Sequence, residues 1–277
     1  MKKRQLIIRG ILLISLVSIL GILSILYLAF CLDGNYNSAP VEMATTVVES
    51  NTEQTTSVPE TEEPVTDSLE NLEENTPNKP IIGENYNPAE ELAGENWALT
   101  LINKNYPLDK HYTPERVPVI DGASVTSDFR VAENYKKMYD AALKDDIILT
   151  PYLGYCDYQR QKTIFNDKVN AFKLQGKSDE EAKQDAERRV GAPGCSENGA
   201  GLAVEIGSAS AGFSYTKEYT WLVNNAHNYG FILRYPEDKT EITGIIYQPW
   251  HWRYVGVDVA TEMKEKKLCL EEYLGAV

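Results

Sequence analysis

A chain of 277 residues with 41 Asp and Glu against 27 Lys and Arg carries a formal net charge of −14. No basic stripe or recognition motif interrupts that excess, so the usual electrostatic footing for nucleic acid is excluded. Hydrophobic residues make up 43% of the chain, which allows one or two domains with buried cores.

The N-terminus departs first from an ordinary globular pattern. Lys2, Lys3, Arg4 and Arg9 precede an almost unbroken apolar run from Ile11 to Cys31. About 20 apolar residues cross a bilayer as a helix, and the preceding cations hold that end in the cytoplasm. The expectation is a cytoplasmic stretch 1–10 and an uncleaved transmembrane anchor 11–31, with the remainder outside the cell. A cleaved signal peptide and a lipoprotein signal ending at Cys31 are the alternatives. The first lacks a small-residue cleavage site, and bulky Phe30 argues against the second. Between Glu42 and Asn78 the chain has many carboxylates, no Lys or Arg and no aromatic residue. Such a composition cannot bury enough apolar surface to offset the entropy of ordering. Residues 32–95 are therefore expected to be a disordered acidic linker, able to project its tip about 50–100 Å from the membrane.

Aromatic and apolar residues return at Trp97, and 96–277 has the length of one domain. Leu99 to Asn103 alternates weakly, as a strand does. Ala132, Tyr135, Met138, Tyr139 and Ala142 recur at helical spacing. Ile147 to Leu149 reads as a short strand and Gln161 to Leu174 as a helix. Ser178 with Glu181 forms a capping box that opens a helix through Arg189. Leu202 to Ile206 reads as a strand and Tyr219 to Tyr229 as a helix, which Gly230 closes in the left-handed conformation. Phe231 to Tyr235, Gly244 to Tyr247 and His251 to Val255 read as strands, and Asp258 to Tyr273 as one amphipathic helix. Strands and helices mix without strict alternation, which points to α+β.

Several segments of this domain carry longer patterns. Trp97-Ala98-Leu99-Thr100-Leu101-Ile102-Asn103-Lys104 opens it. Gly154-Tyr155-Cys156-Asp157-Tyr158-Gln159-Arg160-Gln161 follows, and then the stretch from Ala192 to Ile206. Trp221 to Tyr235 and Ile242 to Gly256 complete the series. In this order they resemble the VanY-like D-alanyl-D-alanine carboxypeptidases, zinc enzymes that trim peptidoglycan stem peptides on a fold shared with hedgehog signalling domains. The corresponding family patterns are GYRSYxxQ, APPGxSEHxxGLAVDI, WLxxNAHxYGFIxRYP and ITGxxYEPWHxRYVG. The resemblance implies an α+β domain with a central, mainly antiparallel sheet packed by helices.

Departures from the pattern fall on the residues that carry the chemistry. The resemblance places the three zinc ligands at Asn198, Glu205 and His251, of which only His251 keeps the family residue. The general base falls at Gln248, and the substrate-holding Arg at Cys156. Gln161, Ser196 and Arg130 are the further candidates for contact with a substrate. A catalytic zinc wants three protein ligands and an open position. A neutral amide oxygen at Asn198 is a poor donor to it, and the extra methylene of Glu205 displaces its carboxylate by about 1.5 Å. Gln248 cannot accept a proton from water at ordinary pH, and general-base catalysis is worth about 10²–10⁴-fold. The expected cofactor is therefore none, or weakly bound zinc. Asn for His, Glu for Asp and Gln for Glu all keep hydrogen-bonding capacity. A pocket that still binds peptidoglycan stem peptides without turning them over is the reading preferred here. An active carboxypeptidase with altered metal use is one rival, and a purely structural envelope protein is the other. Cys156 and Cys195 fall in pocket-forming segments. A disulfide, a thiolate metal site with Glu205 and His251, and plain coincidence all stay open.

Overall fold

A computed structural model describes residues 79–277. The expected cytoplasmic stretch, the apolar run 11–31 and most of the acidic linker lie outside the described residues. Among the described residues no helix is long and apolar enough to cross a membrane.

The first element, α1 (Pro88–Ala93), falls inside the stretch expected as linker. Asn87 caps it by accepting a hydrogen bond from the Ala89 amide, and its Leu92 is buried in the main core. Tyr86 stacks edge-on against Tyr106 and takes the Leu101 amide on its hydroxyl, so the folded region begins before Trp97.

Two sheets follow. A small hairpin pairs β1 (Arg116–Pro118) with β2 (Thr126–Asp128), and leads into α2 (Phe129–Lys144). Ala132, Tyr135, Met138 and Ala142 are buried on one stripe of α2, as their spacing predicts, joined by Val131, while Tyr139 packs against the core only half-buried. The Tyr135 hydroxyl donates to the Leu149 carbonyl at 2.6 Å and ties that helix to the chain entering the main sheet. The main sheet has four strands in the order β3 (Pro151–Leu153), β4 (Ala203–Ile206), β6 (His251–Tyr254), β5 (Phe231–Leu233), every pair antiparallel. Between β3 and β4 the chain makes α3 (Tyr158–Leu174) and α4 (Asp179–Val190), which pack together through Phe165, Phe172, Ala182 and Ala186. The Ser178–Glu181 capping box opens α4 as expected. α5 (Lys217–Asn225) ends in a 3-10 turn, Ala226–Tyr229, closed by Gly230 at φ +82. A Cβ there would stand 2.6 Å from the Tyr254 ring, so only glycine fits. Last come α6 (Thr240–Thr243), α7 (Val257–Lys266) and α8 (Leu270–Leu274).

Four sequence expectations give way to tertiary contacts. Leu99 to Asn103 is not a strand. Leu101 and Ile102 are both fully buried, so the alternation is only apparent, and a 3-10 turn (Trp97–Leu99) precedes them. Ile147 to Leu149 does not pair in the sheet, because the Ile147 amide still closes α2 on the Ala142 carbonyl and pairing starts at Pro151. Gly244 to Tyr247 is irregular. Its backbone bonds go to a helix end, with the Ile246 amide on the Arg188 carbonyl. The final helix is two helices, broken where Lys267 turns left-handed at φ +54 and restarted at Cys269, whose amide is capped by Glu272.

Candidate functional site

Strand register builds the centre of the site. β4 and β6 pair so that Glu205 stands directly opposite His251. Residues opposed in this way project on the same face of a sheet, and Glu205 Oε1 lies 3.7 Å from His251 Nδ1. A 3-10 turn (Glu197–Ala200) immediately before β4 supplies Asn198, and the turn before β6 supplies Gln248. With Gln161 from α3 and Ser196, these side chains line a cavity of about 410 Å³. Six of the residues singled out from the sequence are thus brought together.

Two are not. Cys156 lines a small neighbouring cleft with Tyr112 and Gly199 instead. Its amide donates to the Asn198 carbonyl at 3.0 Å, so its backbone is close while its side chain faces elsewhere. Burial pushes its thiol up to about 11, with the positive charge of Arg160 pulling the other way. Such a thiol stays protonated and unreactive at neutral pH. Arg130 is committed to its own helix cap. It makes two hydrogen bonds to Asp128, at 2.9 and 2.8 Å, and its guanidinium lies 3.8 Å over the Trp97 ring. Cys156, Cys195 and Cys269 are all free thiols.

The amides are already engaged. Asn198 Nδ2 donates to the Gly154 carbonyl at 2.9 Å, and its Oδ1 accepts from Ser196 Oγ at 3.1 Å. Gln248 Nε2 donates to the Arg189 carbonyl at 2.7 Å. Gln161 Nε2 donates to the Val190 and Gly191 carbonyls at 2.6 and 3.1 Å, pinning the end of α4 to the start of α3. Asn198 and Gln248 are nearly fully buried, at 2% and 5% exposure, and these bonds set which way they point.

Below the cavity lies a charged cluster whose role sequence reasoning missed. Glu197 is completely buried and accepts from Arg234 Nε at 2.7 Å. Arg253 Nη1 approaches the same oxygen at 2.7 Å, an ion pair whose angle is not that of a hydrogen bond. Arg234 also makes two hydrogen bonds to Glu271, at 2.8 and 2.7 Å, and Arg253 donates to the Ala98 and Thr100 carbonyls. Glu197 Oε2 faces His251 Nε2 at 3.8 Å, and neither atom has a hydrogen-bond partner. Burial alone would raise the Glu197 carboxyl, but Arg234 and Arg253 outweigh it and hold it far below the usual carboxylate range. Burial alone would lower His251. Glu197 and Glu205 outweigh that in turn and shift the imidazole upward. Three letters of this cluster stand inside the quoted patterns, as the Glu before Asn198 and the Arg before Tyr235 and Tyr254, and Glu271 lies beyond them. Only their 0–2% exposure marks them as an interior network, and no periodicity carries that signal.

The resemblance implies a catalytic zinc, and the side chains present do not fit one. Glu205 and His251 offer two donors. The third position is an amide whose oxygen accepts from Ser196 and whose nitrogen is held by Gly154. Among the described residues no group of three His, Cys, Asp or Glu side chains is placed to hold a metal ion. Gln248, where the resemblance implies the general base, is a carboxamide and has no basicity to offer a water.

Residues 125–257 match the family model described as VanY, D-alanyl-D-alanine carboxypeptidase. A D-alanyl-D-alanine carboxypeptidase of Enterococcus faecalis is 38% identical over 180 residues, covering 65% of this chain and 66% of that protein. The crystal structure of a vancomycin-resistance D,D-pentapeptidase VanY mutant in complex with Zn(II) superposes with a TM-score of 0.58. It is 38% identical, and the match covers 64% of this chain and 99% of that one. VanYB in complex with D-alanine-D-alanine gives a TM-score of 0.57 at 39% identity, over 65% of this chain and 98% of that one.

Proposed function

Because the chain belongs to the VanY family of D-alanyl-D-alanine carboxypeptidases, we propose that it binds peptidoglycan stem peptides and has lost their hydrolysis. The observation that carries this reading is the pair of engaged amides. Asn198 and Gln248 occupy a ligand position and the general-base position, and both donate to backbone carbonyls of the surrounding fold. They are built into a polar wall, and neither can supply what zinc-assisted peptide hydrolysis needs from it. The cavity itself is kept. It remains concave and about 410 Å³ in volume, and Ser196, Glu205 and His251 also line it. That suits a pocket that recognises a peptide end through hydrogen bonds. VanYB, solved with D-alanine-D-alanine, supports the choice of ligand.

The deciding experiment incubates the purified chain with a pentapeptide ending in D-alanyl-D-alanine, in the presence of zinc, manganese or cobalt. Binding by calorimetry with no released D-alanine is the expected result. Chelator-sensitive release would overturn it in favour of a carboxypeptidase with altered metal ligands. That second reading draws on the 3.7 Å between Glu205 Oε1 and His251 Nδ1, a separation that two ligands of one ion can adopt. Absence of any peptide binding would leave a structural envelope protein.

The setting is proposed from the sequence. The apolar run 11–31 anchors the chain once in the cell membrane, and the acidic linker carries the family domain outward to the wall. Fractionation, followed by protease treatment of intact cells, tests it. A domain protected in intact cells would refute the orientation.

A further inference from the structure

The cavity has a cationic wall that the substituted zinc positions do not explain. Arg160, Ile164 and Lys168 of α3 all line it, as does Arg189 near the end of α4. Steps of four residues put the first three in one stripe of the helix. Eight residues of helical rise separate the two cations by about 12 Å along it. Among the described residues, none of Arg160, Lys168 and Arg189 makes an ion pair. Their neighbours on or beside the same helices do: Lys173 with Asp179, Lys177 with Asp185, and Arg188 with Glu241. In a chain of net charge −14, three cations outside any ion pair line one side of a cavity whose carboxylate, Glu205, lies 3.7 Å from His251, and they concentrate positive potential on their side of it.

The two ends of the stripe differ in surroundings. The Arg160 amide is capped by Asp157, the residue after Cys156, and the Cys156 amide donates to the Asn198 carbonyl, so this cation stands beside the turn that carries the substituted ligand position. Lys168 lies two helical turns further along; the backbone of Arg189 sits at the end of α4 that is pinned to the start of α3, but its guanidinium extends to 5.6 Å from the ring of Phe172, one turn beyond Lys168. A guanidinium can grip a carboxylate with two parallel hydrogen bonds, whereas an ammonium acts as a point charge. Resting on the binding reading above, we infer that this wall selects peptides carrying a second carboxylate, with Arg160 taking the C-terminal one and Lys168 with Arg189 taking the other. An extended peptide advances about 3.4 Å per residue, so carboxylates about 12 Å apart sit three to four residues apart.

Three N-acetylated pentapeptides ending in D-alanyl-D-alanine test this by calorimetric titration of the full-length chain in mild detergent. The first has glutamate at its second residue, the second has glutamine there, and the third keeps the glutamate but ends in a C-terminal amide. The first is expected to bind about tenfold more tightly than either of the others, and added salt should narrow the gap. Lys168→Gln and Arg189→Gln should erase the preference for glutamate over glutamine. Arg160→Gln should erase the preference for the free C-terminus over the amide. Equal affinity for all three peptides would overturn the cationic wall and leave the binding reading intact. No binding of any of them would remove both.

Discussion

Glu197 and Asn198 are neighbours in the chain and belong to different regions of the molecule. Glu197 points inward to Arg234 and Arg253, in a cluster where every charge has an opposite close by. Asn198 lines the cavity, where the resemblance expects ionic and metal-binding groups and the chain presents amides. The inner region cannot lose a charge without leaving its partner stranded in the interior, so its composition is tied to stability. The cavity wall can exchange a histidine or carboxylate for an amide of similar shape and still be satisfied by nearby backbone. Support of the fold and support of the chemistry are thus separable here across one peptide bond.

The largest effect should come from the inner region. Glu197→Gln leaves Arg234 and Arg253 without their shared counter-charge, and should cost about 3–5 kcal/mol in chemical denaturation. A loss near zero would erase the contrast. The same carboxylate has a pH signature. Its folded pKa lies below its unfolded value, so its contribution is whole above about pH 4.3 and drains away as pH falls toward the folded value. Glu197→Gln should therefore flatten the acid limb of the stability curve, and an unchanged limb would count against the buried network.

The cavity wall should respond in activity. Converting Asn198→His, Glu205→Asp, Gln248→Glu and Cys156→Arg together should restore zinc binding and release of D-alanine. Gln248→Glu within that set should account for about 10²–10⁴-fold of the rate. A folded revertant that binds zinc and stays inert would show that the two regions are less separable than the geometry suggests. Asn198→Ala alone should cost about 1–3 kcal/mol, because the buried Gly154 carbonyl loses its donor. A larger loss would move Asn198 into the class of Glu197. The smallest change is a control remote from both regions. Thr216→Ala removes the cap of α5, where Thr216 Oγ1 accepts from the Tyr219 amide, and should lower stability by about 1 kcal/mol without altering peptide affinity.

The legible parts of the sequence were those governed by local rules. The stripe of α2, the capping box of α4 and the left-handed Gly230 follow from side-chain spacing and backbone sterics within a few residues. The order of the motifs singled out six residues that do meet at one cavity. Two others misled. Arg130 carries the right charge, yet the nearer carboxylate of Asp128 claims it. Cys156 sits in the right motif with its side chain in the adjacent cleft. The false strands at Leu99 and Gly244 share one cause: short apolar runs look alike whether they pair in a sheet or are buried as irregular chain.

By itself the sequence determined the composition of the wall: which positions carry an amide, which an imidazole, and that a carboxamide stands where the resemblance implies the general base. Only the tertiary structure decided their partners. The Asn198 and Gln248 side chains point where Gly154 and Arg189 hold them, and Glu197 is bound into the interior by two arginines distant in sequence. The physical reason is range. Propensity and capping act over one helical turn, whereas the burial of a charge depends on what the whole chain brings around it.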